Sequence, residues 1–261
     1  MMQDFKTKEE LFAYLKSNKA DLIQLKKGAI KYADGVPLSS LKLDAVKFDV
    51  PSGKIAAVIN TTNLMDSHSD VHINGIWNKS IIDQAGKVYY IINHELELGK
   101  VIAYPKDVEM KLIETTWKDL GANYEGNTQA LVFFVEESAV KLQIAKEAIE
   151  NKEPVQHSIR MAYVDYKLAM DSNDEDHNEE KAVWDQYLGV IANQQQAIKQ
   201  GYFWAVTEAK IYKEGSMVLA GSNEITPIVY PKSIEPPLST HKIEPPLSTQ
   251  INSHKGRTLF Y

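Results

Sequence analysis

Apolar and polar positions alternate in short runs over most of this chain, with turn residues between them, while a few stretches carry the wider helical period. Residues 7–18 place Leu11, Phe12 and Leu15 on one face behind Thr7, with Glu10 at the third helical position, which predicts a short capped amphipathic helix. A second helical segment is expected over residues 20–32, with a basic cluster of Lys26, Lys27 and Lys31 read as a solvated face. Beyond Leu41 the period changes. Strands are predicted over 46–50, 54–61, 71–73, 88–93, 100–104, 109–116 and 128–136, several of them alternating as half-buried antiparallel strands do.

Residues 138–151 return to the helical period, with Ser138 as the expected cap, and Pro154 then restores extended structure for the run Val155–Met161. The stretch 171–180 is too polar to bury and resembles a calcium loop, but it lacks the glycine that such a loop needs at its sharp turn. We read 171–200 as an insertion made of a solvated loop and one helix over 181–199, after which a strand resumes over 202–212. The segment Ile234–Thr240 recurs as Ile243–Thr249, and both copies carry a Pro-Pro pair, which reads as an extended, flexible polyproline-like tail. The expected organisation is a separately packed helical arm over 1–40, a main domain over 41–230, and the Pro-rich tail over 231–261.

Composition narrows the chemistry. A hydrophobic content of 44% supports a real core, and a formal charge of −6 gives no reason to expect a nucleic-acid partner. The absence of cysteine excludes disulfides, thiolate metal sites and a cysteine nucleophile, and fits an intracellular setting. The first residues carry mixed charge and no run approaches the ~20 apolar residues of a membrane span, so neither export nor membrane insertion is expected.

Two residues then stand out: His94 closes the apolar run Tyr89–Asn93, and Ser158 sits within Val155–Met161. A serine nucleophile needs a base within hydrogen-bond reach, and neighbouring strands can hold such a pair rigidly. His157 is a poor base for Ser158, because successive side chains on a strand leave opposite faces. His68 and His72 have a helical i, i+4 spacing, but Asp66, Ser67 and Ser69 make their setting a turn, and no Glu follows His68 as the zinc hydrolase motif requires. No cofactor is called for, since neither a phosphate loop nor a nucleotide fingerprint is present, and a G-x-S-x-G elbow is missing too.

In order along the chain, Asp66, Asp70, Gly75 and Trp77, then Tyr90–Glu95 with Gly99, then Val155–Met161, then Ala205–Ile211 with Ser222 and Asn223 resemble the motifs of the prohead (head maturation) proteases of tailed phages, serine peptidases related in fold to herpesvirus assemblins. The resemblance covers about residues 55–227, with departures. Arg160 stands where the family usually has glycine, and the closing strand is Glu208-Ala209-Lys210-Ile211.

The resemblance implies an α+β fold, mostly an antiparallel β-barrel with flanking helices, and catalysis by Ser158 with His94 as base. Glu208 would orient His94, with Asp165, Asp66 and Asp70 as alternatives, and Arg160 or its neighbours are candidates for the oxyanion hole. It further implies a homo-oligomer acting in the host cytoplasm inside an assembling procapsid, with scaffold protein, the N-terminal region of the major capsid protein and the protease itself as substrates. The rival expectation is a non-enzymatic scaffold or capsid-assembly protein on the same fold.

Overall fold

The computed structural model describes residues 5–28 and 49–231. In chain order the helices are α1 (Lys8–Ser17), α2 (Lys19–Gly28), α3 (Asn78–Asp83), α4 (Gln143–Glu150), α5 (Asn178–Tyr187) and α6 (Gln194–Gln200). The strands are β1 (Lys54–Thr61), β2 (Asp70–His72), β3 (Tyr89–Ile92), β4 (Val101–Ala103), β5 (Glu109–Thr116), β6 (Asn127–Glu136), β7 (Gln156–Met170), β8 (Tyr202–Val218) and β9 (Ile228–Val229). Among the described residues no helix is long and apolar enough to cross a membrane.

These strands form a mixed α+β structure of two open sheets, where the sequence led us to expect a closed barrel. The first sheet has the order β5-β6-β1-β9 and is antiparallel. In the second, β8 is central: β7 runs antiparallel along one of its edges, while β2 and β3 share the other, both parallel to β8, with β4 outside β3. Alternation along β1 and β6 shows how the layers divide. Ile55, Ala57, Ile59, Leu131, Phe133 and Val135 point into the main core shared with the second sheet. Ala56, Val58, Ala130, Val132 and Phe134 point the other way, under Trp117 and Leu120. Buried on both faces, β1 reads as a continuous apolar run, whereas β5, at the edge, alternates.

The helical arm is integrated with the core, contrary to the separate packing expected for it. Thr7 accepts from the Glu10 amide as the N-cap, and Phe12 and Leu15 enter the main core. Glu180 of α5 is fully buried and receives Lys16 at 2.9 Å and Lys19 at 2.5 Å. Burial alone would raise the Glu180 carboxyl, but these two ammonium hydrogen bonds outweigh it and hold its pKa below the ordinary value. The part of the arm beyond Gly28 and the Pro-rich repeat lie outside the described residues.

The insertion holds two helices, not the single one expected, because the chain turns at Leu188–Val190 and extends at Ile191. Trp184, Ile191 and Ala197 pack on Met65, Ala169, Phe203 and Ala205, so the insertion covers one end of the outer face of the second sheet. Ser138 lies in a short 3-10 turn, and the following helix starts only at Gln143, with no side-chain cap.

Two features of the β7–β8 pair set the position of everything near His94 and Ser158. At Gly215 an added Cβ would lie 2.6 Å from Phe133 Cε2 and 3.1 Å from Ile59 Cγ2, so the two sheets approach more closely there than any side chain allows. Beside it, His157 is fully buried. Its Nδ1–H donates to the Thr226 carbonyl at 2.8 Å, so Nε2 accepts from the Tyr90 hydroxyl at 2.8 Å. Burial pushes the His157 pKa down from 6.5 to about 4, against the smaller opposing effect of the backbone groups of Thr226 and Val58.

Gly215→Ala is expected to destabilise the fold by about 1–3 kcal/mol through overpacking, measured by urea denaturation. The depressed His157 pKa means the unfolded chain binds more protons between pH 6.5 and 4. Stability should therefore be full above pH 6.5 and fall by on the order of 3 kcal/mol as the pH drops to about 4. His157→Gln should remove that part of the pH dependence.

Candidate active site

The outer face of the second sheet, at the end left open by the insertion, gathers the polar groups. The β3–β8 register sets Tyr89 against Glu214 and Ile91 against Ser216, and the β7–β8 register sets Ser158 directly opposite Ser216. Since Gly215 and Met217 turn toward the core, Glu214, Ser216 and Ser158 share the opposite face. Opposed residues of an antiparallel pair have Cβ atoms roughly 4.5–5.5 Å apart, so Ser158 and Ser216 are immediate neighbours.

His94 comes to this face from a turn, not from the strand predicted for it. β3 ends at Ile92, and both Asn93 (φ 54°) and His94 (φ 58°) adopt the left-handed conformation. Asparagine tolerates that region, whereas two successive left-handed residues must be held by their surroundings. Three hydrogen bonds hold them here. The Asn93 amide donates to the Met217 carbonyl at 2.9 Å, the His94 amide donates to Ser216 Oγ at 2.8 Å, and the Glu95 amide closes the turn on Ile92 at 3.1 Å. The ring is then aimed at Glu214, with Nδ1 2.7 Å from Oε1. The side chains are 7% exposed for His94 and 0% for Glu214. A carboxylate accepts only, so Nδ1 carries the proton and a neutral His94 presents Nε2 as its basic nitrogen.

Glu214 thus stands where Glu208 was expected. Glu208 meets Lys79 at 3.5 Å on a more exposed part of β8, and six residues of extended strand separate it from Glu214 by roughly 20 Å. The alternatives are engaged elsewhere as well. Asp165 accepts from Thr207 at 2.6 Å, Asp66 caps the amides of His68 and Asp70, and Asp70 receives Lys26 and the Tyr163 hydroxyl. Arg160 shares the Ser158 face by alternation, and its guanidinium lies 5.4 Å from the centre of the Tyr212 ring.

The segment after β8 clamps the strand that carries Ser158. Gly221 N–H donates to Gln156 Oε1 at 2.6 Å, and Thr226 Oγ1 both accepts from His157 N–H and donates to His157 C=O. An added Cβ at Gly221 would stand 2.7 Å from that same carbonyl. Asn223, one of the residues that suggested the closing motif, bonds both the side chain and the carbonyl of Thr61.

His68 and His72 do not join the His94 turn, but with Asp66 and Asn223 they line a cavity that Ser158 also borders. His72 bonds Asn60 Oδ1 at 3.1 Å and Tyr163 OH at 3.3 Å, within a buried network that also takes the Trp77 indole. Among the described residues no group of three or more His, Cys, Asp and Glu is arranged to hold a metal ion.

The structure therefore brings Ser158 and His94 to either side of Ser216 and joins Glu214 to His94. It forms no Ser158–His94 hydrogen bond, a contact that often tightens only when substrate is bound. Comparison with known proteins yields no matching family model, no matching curated relative and no matching solved structure.

The Glu214 contact predicts that neutral His94 is the Nδ1–H tautomer, to be read from imidazole 15N shifts in the full chain. Glu214→Ala should mix the two tautomers, while Glu208→Ala should leave them unchanged.

Proposed function

We propose that this protein is a serine endopeptidase in which Ser158 is the nucleophile, His94 the general base and Glu214 the residue that orients His94. The observation that carries the reading is the buried His94–Glu214 pair at 2.7 Å, set on the face that carries Ser158. In acylation, Ser158 Oγ attacks the scissile carbonyl and His94 Nε2 accepts its proton. The imidazolium is stabilised by Glu214 and returns the proton to the leaving amine. Water then repeats the sequence on the acyl-enzyme and frees Ser158.

The resemblance to the prohead proteases narrows the proposal to capsid maturation. In that reading the scaffold protein, the N-terminal region of the major capsid protein and the protease itself are cut within an assembling phage head. The absence of a Ser158–His94 hydrogen bond favours the second reading, a non-enzymatic assembly protein on this fold.

Co-expression with scaffold and major capsid protein, read by intact mass, separates the two. Discrete cuts should appear with the wild type and vanish with Ser158→Ala. Glu214→Gln should slow them by about 10²–10⁴-fold, in line with the loss on replacing a triad carboxylate, and Glu208→Gln should have little effect. Identical masses for wild type and Ser158→Ala, with assembly intact, would establish the assembly protein instead.

A further inference from the structure

Immediately beyond the His94 turn lies a surface groove whose composition is unusual for this acidic chain. Leu96 and Leu98 are 41% and 86% exposed, and with Val101 and Tyr89 they give it an apolar floor. Tyr89 is in register with Glu214, so the floor continues the face that carries His94 and Glu214. Lys87, Lys213 and Glu97 stand on its rim.

The cations are what distinguish this surface. Lys100, just outside, is neutralised by Glu95 at 3.1 Å. Lys87 donates only to the Asp83 carbonyl, and Lys213 makes no ion pair among the described residues. Lys213 is left-handed at φ 68°, inside the irregularity where Tyr212, Lys213 and Glu214 face the single Arg160 of β7. That bulge turns its side chain outward, and its ammonium lies 5.5 Å from the centre of the Tyr212 ring, which Arg160 approaches at 5.4 Å. Lys213 and Arg160 thus share one aromatic platform next to Glu214, and the aromatic contact does not neutralise the charge of Lys213.

We infer that this groove is the specificity subsite of the proposed peptidase and takes an extended peptide segment with an aliphatic side chain beside an acidic one. The aliphatic group lies over Leu96, Leu98, Val101 and Tyr89, and the carboxylate meets Lys213. The inference rests on the peptidase reading, with Lys213 as the specificity-determining residue.

Binding and cleavage test it separately. Dissociation constants of labelled decapeptides for full-length Ser158→Ala protein are measured by fluorescence anisotropy, with Ile-Glu, Ile-Gln, Ile-Lys or Ser-Glu at the centre. Ile-Glu should bind at least tenfold tighter than Ile-Gln and Ser-Glu. Adding Lys213→Glu should reverse the order of Ile-Glu and Ile-Lys, and adding Leu98→Glu should weaken every Ile peptide. Both positions are on the surface, and unchanged circular dichroism checks that the variants fold. Equal affinity for Ile-Glu and Ile-Gln, no binding at all, or a preference that Lys213→Glu leaves in place overturns the subsite. The same peptides are then given to the wild type. Cleavage without preference removes the subsite and keeps the peptidase, whereas preference without cleavage keeps the subsite and removes the peptidase.

Discussion

The close approach of the two sheets at Gly215 is the constraint on which the rest of the site depends. Phe133 and Ile59 fill the space a side chain would need there, which fixes the inward face of β8 at that residue. Because strand side chains alternate, Glu214 and Ser216 are then committed to the outer face. A slip of one residue would bury Ser216 under Phe133 and turn Gly215 toward His94. The β7 register carries the same commitment to Ser158, and the β3 register carries it to the turn that ends in His94.

A central strand with neighbours on both edges can bring side chains from three distant parts of the chain to one face, with a single tight turn to aim the histidine. The turn after β3 supplies His94, the proposed base, β7 supplies Ser158, the proposed nucleophile, and β8 supplies both Glu214, which bonds the His94 ring, and the Ser216 hydroxyl that holds the His94 backbone. The backbone conformation of Asn93 and His94 is uncommon, and its hydrogen bonds to Met217 and Ser216 offset that cost from the same strand. Around this group the molecule divides the outer face of its second sheet. The insertion covers the end near Phe203 and Ala205, leaving the end near Glu214 for the His94 turn and the apolar groove.

Much of the fold was legible in the sequence where one physical term dominated. Lys54–Thr61 and Glu109–Thr116 were located to the residue, the first by its apolar run and the second by its alternation. Thr7 and Glu10 marked the first helix correctly. The closed barrel came from the family resemblance and is not formed; strand periodicity could not test it, because it does not report whether edges meet, and the parallel pairing of β2 and β3 with β8 joins segments too distant for local pattern to reveal. Of the candidate site, His94 and Ser158 were proposed from residue type together with the order of motifs in the family resemblance, and the structure places them on either side of Ser216. Glu214 could not be singled out, because Lys213-Glu214-Gly215-Ser216 has the composition of a turn and the strand was ended at Tyr212. Its glycine answers to Phe133, a residue on the other sheet, and its lysine sits in a bulge, so the signal that mattered was tertiary. The apolar residues Met217 and Val218 that follow were the local sign that the strand continues.

The central claim is that Ser158 is an activated nucleophile, and reaction of the full chain with a fluorophosphonate tests it most directly. Digestion and mass spectrometry should place a single phosphonyl adduct on Ser158. Its rate of formation should collapse in His94→Gln, fall in Glu214→Gln and stay unchanged in Glu208→Gln. An unmodified Ser158 under conditions that label a control serine peptidase, or labelling that proceeds equally well in His94→Gln, would contradict the account.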